Sequence, residues 1–243
     1  YCRPGVLQGY KVVFGFTDGS NNVFPEDDVY DANRVVHCVV DDSYCYGHDG
    51  VTVDWAVLRL DRQVVGRTPA TIQRRVARVG DPLYIVGHPS GLPRKYTSQD
   101  GAEVLQIRAG PRDSRDHANV HTVVTNLDSF SGNSGSGVFN GDTNEMVGIL
   151  VEGGEDWEIT AAGCSVAHTC HMDPLRLHQA GCPGEEVVSS TVLLPFLLAE
   201  SGCRSNADCN AGTCSGGVCE CDPDYHGPDC SFKCERVYCN NRG

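Results

Sequence analysis

Short β-branched or aromatic runs, closed off one after another by turn residues, constrain this chain more than any other feature of its sequence. The runs are YKVVFGF, RVVHCVV, WAVLRL, PLYIVG, VHTVVTNL, SGVFN and EMVGILVEG, spread between Tyr10 and Gly153. Clusters such as TDGSNN, GHPSGLP and FNGDTNE separate them. β-Branched side chains fit a pleated, half-buried surface, and Gly, Asn, Asp and Pro supply the backbone angles of turns. No long stretch shows helical periodicity before Val187. Residues 1 to about 185 are therefore expected to be all-β, as a sandwich or a barrel. The 243 residues are enough for a sizeable core in one or two domains.

Near Ser201 the composition changes. Large aliphatics give way to Cys, Gly, Asn, Asp and Ser. Of the 14 cysteines, six crowd into Cys203, Cys209, Cys214, Cys219, Cys221 and Cys230. Such density points to disulfides and an oxidising compartment. No tight Cys/His cluster suggests zinc. A formal net charge of -13 argues against nucleic acid or an anionic membrane as partner, since both demand a basic face. The longest apolar run, VLLPFLLA from Val192 to Ala199, is far short of the roughly 20 residues of a membrane span and reads as a buried terminal helix or strand. No signal peptide is visible at Tyr1, so a secreted protein of this kind is expected to have been processed or to be incomplete at that end.

The stretch SFSGNSGSGVFNGD, Ser129 to Asp142, raises the question of chemistry. A hydrolytic serine needs an imidazole to take its proton and backbone N–H groups aimed at the developing oxyanion. Glycines on either side of Ser134 let the backbone form that hole. A flexible linker is the alternative, but a linker would not run directly into VFN and VGILVEG, which read as two strands of a hairpin.

These residues carry a resemblance. TNLDSFSGNSGSGVFN resembles the nucleophile segment of chymotrypsin-like serine peptidases in its bacterial G-N-S-G-S form. VDWAVLRLDR, Val53 to Arg62, resembles the segment carrying the catalytic aspartate. GHPSGLPRK resembles a loop of trypsin-like peptidases related to the glutamyl endopeptidases. The resemblance covers about residues 8 to 185 and implies two six-stranded antiparallel β-barrels. It implies Ser134 as nucleophile, Asp54 as the residue that orients the base, and the N–H groups of Gly132 and Ser134 as oxyanion hole. The alternative for Asp54 is a turn aspartate before a strand. Asn133 stands where some trypsin-like enzymes have an Asp that pairs with a new N-terminal amine, so that activation switch is not implied.

The third triad member does not fall into place. RVVHCVV imitates the histidine motif, but His37 is only 17 residues before Asp54. The alignment adopted puts YKVVFGF one strand after that motif, so that the histidine lies before Tyr1 and His37 is a fallback base. In trypsin-like enzymes the residue six before the nucleophile sits at the base of the specificity pocket. Here that is Asp128, which would select Arg or Lys, or else caps a turn. Val151, Glu152 and Gly153 are expected on the pocket wall. They include no histidine of the kind the glutamyl endopeptidases use, so acidic substrates are not implied.

The spacing from Cys203 to Cys230 resembles an EGF-like module. The family pairs the first cysteine with the third, the second with the fourth and the fifth with the sixth. The expected organisation is a peptidase domain over 1–200, lacking its N-terminal part, an EGF-like module over 201–231, and the start of another cysteine-containing module over 232–243. The expected function is a secreted serine endopeptidase acting on protein or peptide substrates through an acyl-enzyme. It would need no metal or organic cofactor, and Cys2 would be left to pair with an N-terminal fragment. The rival is a non-catalytic peptidase homologue serving as an extracellular binding module.

Overall fold

The computed structural model describes residues 9–40, 54–97, 101–109, 121–168, 170 and 183–194. Of the cysteine-rich end it describes 205–209, 211–215, 218–222, 225–226, 230 and 232–233. For 33–40 only the backbone is described. Cys2, Cys45 and Cys182 lie outside these residues, as does the apolar run beyond Leu194.

The runs expected to be extended are strands. They are β1 (Lys11–Val13), β2 (Val29–Val40), β3 (Asp54–Leu60), β4 (Leu83–Gly87), β7 (His121–Thr125), β8 (Gly137–Asn140) and β9 (Met146–Glu152). Sequence reading missed β5 (Lys95–Thr97), β6 (Val104–Ala109), β10 (Trp157–Ile159), β11 (Ser165–Ala167) and β12 (Glu185–Ser189). Charged and polar residues interrupt the β-branched signal in all five.

The sheets are antiparallel. β1, β2 and β3 form a three-stranded sheet in that order. A seven-stranded sheet runs β5-β4-β8-β9-β12-β7-β6. Its two ends approach each other, because the chain before β4 bonds to the chain entering β6. Gly80 N–H donates to the Val104 carbonyl at 2.8 Å, Val104 N–H to Asp81 at 3.0 Å and Leu83 N–H to Ala102 at 2.9 Å. Pro82 bridges Glu103. Where two six-stranded barrels were expected, the described residues before the cysteine-rich end thus form one curled seven-stranded sheet, with β5 beyond the curl, one three-stranded sheet and a two-stranded β10–β11 ribbon.

Alternation decides which side chains fill the curl. Val104, Val123, Val138, Val147 and Val187 are fully buried, and Leu83, Ile85 and Leu150 join them. Each of the six curled strands contributes, and each such aliphatic side chain adds about 1.5–3 kcal/mol by leaving water. A second apolar cluster joins the two sheets. Trp55 of β3 packs with Val188 of β12 and Leu193, against Ile149 and Val151 of β9. In the cysteine-rich end, Cys209 is disulfide-bonded to Cys219, the second cysteine of the six to the fourth. Cys164 is free and exposed.

Candidate active site

Ser134 lies on the loop between β7 and β8, with its side chain exposed. The loop is anchored on three sides. Ser131 N–H donates to Asp156 Oδ2 at 2.8 Å. The Ser131 carbonyl accepts from Ser90 N–H at 2.7 Å, in the 88–92 loop. Gly135 N–H donates to the Leu150 carbonyl at 2.7 Å, and Leu150 N–H to the Ser136 carbonyl at 3.0 Å, tying the loop to β9.

The same bonds leave a pattern in the loop's donors. The N–H groups of Ser131, Asn133, Gly135 and Ser136 all have partners within the chain. Those of Gly132 and Ser134 have none among the described residues. Unpaired N–H groups that reach solvent are what an anion-binding turn presents. Gly132 needs to be glycine twice over. Its φ is +93°, and a Cβ there would come within 2.7 Å of the Ser90 nitrogen.

Ser134 borders a cleft of about 440 Å³. Ser129, Phe130 and Ser131 form one side, and Glu152 to Trp157 the other, with Leu150 and Glu185. A smaller cavity of about 170 Å³ adjoins it. Glu152 and Gly153 border the cleft. Val151 does not. It packs into the Trp55 cluster, because alternation along β9 turns it to the other face. Asp128 is exposed and borders the smaller cavity instead.

Three acidic residues border both cavities, Glu155, Asp156 and Glu185, and sequence reading missed Glu185. It accepts a hydrogen bond from the Ser129 hydroxyl and one from Gly154 N–H at 3.4 Å. Burial pushes its carboxyl up to about 7. The two hydrogen bonds oppose that rise, and the nearby charges of Asp156 and Asp128 add to it. Partial burial and the charge of Glu186 also raise the Glu152 carboxyl. The one signal for Glu185 in the sequence is the GEEVVSS stretch, an acidic pair opening a strand.

Asp54 opens β3, half-buried, with Val40 as its cross-strand partner. His37 is paired with Val57 in the same register. Strand alternation therefore places position 37 on the face shared by Trp55 and Val57, and position 54 on the other. Asp54 and the Ser134 loop are both tied to β9, the first through its neighbour Trp55 and the second through Leu150. Among the described residues, no histidine borders the Ser134 cleft.

No curated protein matches the sequence. Among solved structures the chain is similar to Rv3671c of M. tuberculosis, a serine-to-alanine mutant in its inactive form. Identity is 16%, the match covers 72% of this chain and 67% of that one, and the TM-score is 0.39. A second structure, of Rv3671c protease in its inactive form, gives 16% identity, 70% coverage of each chain and a TM-score of 0.38. A family model for a trypsin-like peptidase domain matches residues 10–149, a span that takes in both Asp54 and the Ser134 loop. With more than half of its 243 residues matched, the chain belongs to the trypsin-like peptidase family.

Proposed function

We propose that the protein is a secreted serine endopeptidase that cleaves peptide bonds through an acyl-enzyme on Ser134. The observation that carries this reading is the pair of unpartnered N–H groups, Gly132 and Ser134, on either side of Asn133, with Ser134 bordering the cleft. An acyl-transfer site has to bind a developing oxyanion beside its nucleophile, and preorganised backbone donors do so without reorganisation. In this reading the Ser134 hydroxyl attacks the substrate carbonyl and an imidazole takes its proton. Asp54 holds that imidazole, and the proton passes on to the leaving amine. Glu152 and Gly153 flank the substrate side chain. The curled sheet corresponds to the second of two barrels, and the three-stranded sheet to part of the first.

The base is assigned upstream of Tyr1. The β2–β3 register favours this over His37, which falls on the opposite face from Asp54. The Cys209–Cys219 disulfide supports an EGF-like module over 201–231, because it joins the second cysteine to the fourth. Residues 232–243 begin a further module. A domain of this composition belongs outside the cell, with Cys2 available to an N-terminal fragment.

A second reading has one observation in its favour. No histidine borders the cleft among the described residues, as a non-catalytic homologue acting as an extracellular binding module would have it. Labelling with a fluorophosphonate separates the two. The protein extended upstream through a histidine motif is expected to label at Ser134 and to lose the label on Ser134→Ala. The 243-residue chain alone is expected to label slowly, since a site missing one triad member retains only about 10³–10⁴-fold catalysis over water. Failure of the extended protein to label supports the binding module. Rapid Ser134-dependent labelling of the shorter chain would overturn the upstream assignment and return His37 as the fallback base.

A further inference from the structure

Glu185 sits where the cleft beside Ser134 meets the smaller cavity, and none of the steps above uses it. The charged groups that share its surroundings are nearly all acidic. Asp156, Glu152 and Glu155 come from β9 and the segment after it, and Asp128 from the loop after β7. No lysine or arginine borders either cavity among the described residues, and His168 in the smaller one is the only basic side chain there. A carboxylate placed among carboxylates, with no countercharge, is costly to keep ionised.

We propose that Glu185, rather than Asp128, selects the substrate by receiving the positively charged end of an arginine or lysine side chain that enters the Ser134 cleft. The proposal rests on the peptidase reading for its substrate, and on three further observations for the site itself.

The first is the space kept for the carboxylate. A Cβ on Gly153 would lie 2.3 Å from Glu185 Oε2 and 2.4 Å from Oε1, so only glycine at 153 lets the group stay where it is. The second is its orientation. The Ser129 hydroxyl bonds one oxygen and Gly154 N–H the other. Each carboxylate oxygen has a second acceptor direction, which a guanidinium or ammonium can fill. The third is the wall. Phe130 and Trp157 both border the cleft, with ring centroids 5.4 Å apart, and offer apolar surface and aromatic faces to the stem of a long basic side chain. Asp128 has none of these features. It is exposed and lies outside the Ser134 cleft.

Because the Glu185 carboxyl is pushed up to about 7, a bound cation displaces its proton to solvent near neutral pH. Affinity for a permanent cation should then rise from pH 5.5 to 8, with proton release that vanishes in Glu185→Gln. Burial is the main cause of that rise and Asp156 and Asp128 only add to it, so Asp128→Asn, which eases ionisation of Glu185 but also removes one attracting charge, should leave binding nearly unchanged.

The test is calorimetric titration of the full 243-residue chain with benzamidine, a flat aryl cation, and with benzamide, its neutral counterpart. It needs no catalysis, so it is independent of where the base lies. Benzamidine is expected to bind at least about tenfold more tightly than benzamide, and Glu185→Gln to lose at least about tenfold, the scale of a charge-assisted pair. Gly153→Ala, which displaces the carboxylate without removing it, is expected to weaken binding in the same direction. Cooperative melting of each variant establishes that it is folded. Equal binding of the two ligands, no benzamidine binding by the folded protein, or loss of binding in Asp128→Asn but not in Glu185→Gln would overturn the proposal. Benzamidine binding without fluorophosphonate labelling keeps the cation site and discards the peptidase. Labelling without benzamidine binding does the reverse.

Discussion

A carboxyl pushed up to about 7, as at Glu185, holds its proton more tightly in the folded chain than in the unfolded one, where its value is 4.5. Its contribution to stability is therefore fully present below pH 4.5 and is lost as pH rises through 7. Glu185→Gln keeps acceptor and shape but cannot ionise. It is expected to be more stable than the parent at pH 8, by about 2–3 kcal/mol on an order-of-magnitude conversion of the shift, and nearly equal to it at pH 4.5. Urea denaturation at the two pH values checks this, and a parallel pH dependence in parent and variant would refute it. Single residues also show how far the sequence could be read. The turn that carries Ser134 was legible because its glycines are contiguous with it in the sequence. Asp128 was reached by counting six residues back, and a count cannot show which way a loop turns its side chain. Glu185 was not legible at all. Its partners Ser129 and Gly154 are 56 and 31 residues away, and only the curl of the sheet brings the three together.

At the scale of elements, β9 is the strand on which the site depends. One of its faces packs against Trp55 and its backbone fastens the Ser134 loop, so whatever loosens the sheet-to-sheet contact should be felt at the serine. Trp55 is 4% exposed, and Trp55→Ala is expected to cost about 3–5 kcal/mol. It should also raise amide hydrogen exchange at Gly135 and Leu150, whose bonds hold the loop to β9. Protection unchanged at those two amides would show that the loop is indifferent to the neighbouring sheet. On the far side of β12, Arg108 and Glu186 form a largely buried ion pair, with Glu152 opposite Glu186 in the ladder. Arg108→Met leaves the two carboxylates facing each other and should cost up to about 3–5 kcal/mol. Most of that should be recovered in the double variant with Glu186→Gln, as a double-mutant cycle in denaturant would measure. β12 was hidden from sequence reading because two glutamates open it, although its later residues, Val187 to Ser189, are fully buried. A strand flanked by β7 and β9 and buried on both faces has no need of the alternation that marks an exposed one.

For the whole molecule, the net charge of -13 means that folding gathers like charge. Raising salt from about 0.02 to 0.5 M should therefore raise the melting temperature, while weakening capture of a cationic ligand, since screening removes both the repulsion and the steering. Thermal melts and benzamidine titrations along one salt series test the two signs together, and a melting temperature that falls with salt would contradict the first. The all-β character was legible at this scale because it rests on a pattern repeated many times along the chain. The closing of the large sheet was not, since it depends on backbone bonds around Pro82 and Glu103 that no side-chain pattern announces.

The chain has two tryptophans, and they occupy opposite situations. Trp55 is buried where the sheets meet, and Trp157 is 52% exposed at the rim of the cleft. The molecule thus carries two intrinsic optical reporters that differ in colour, a blue-shifted emitter for the seam between the sheets and a red-shifted one for the mouth of the cleft. Excitation at a single wavelength can follow unfolding and ligand entry as separate signals, with no added dye.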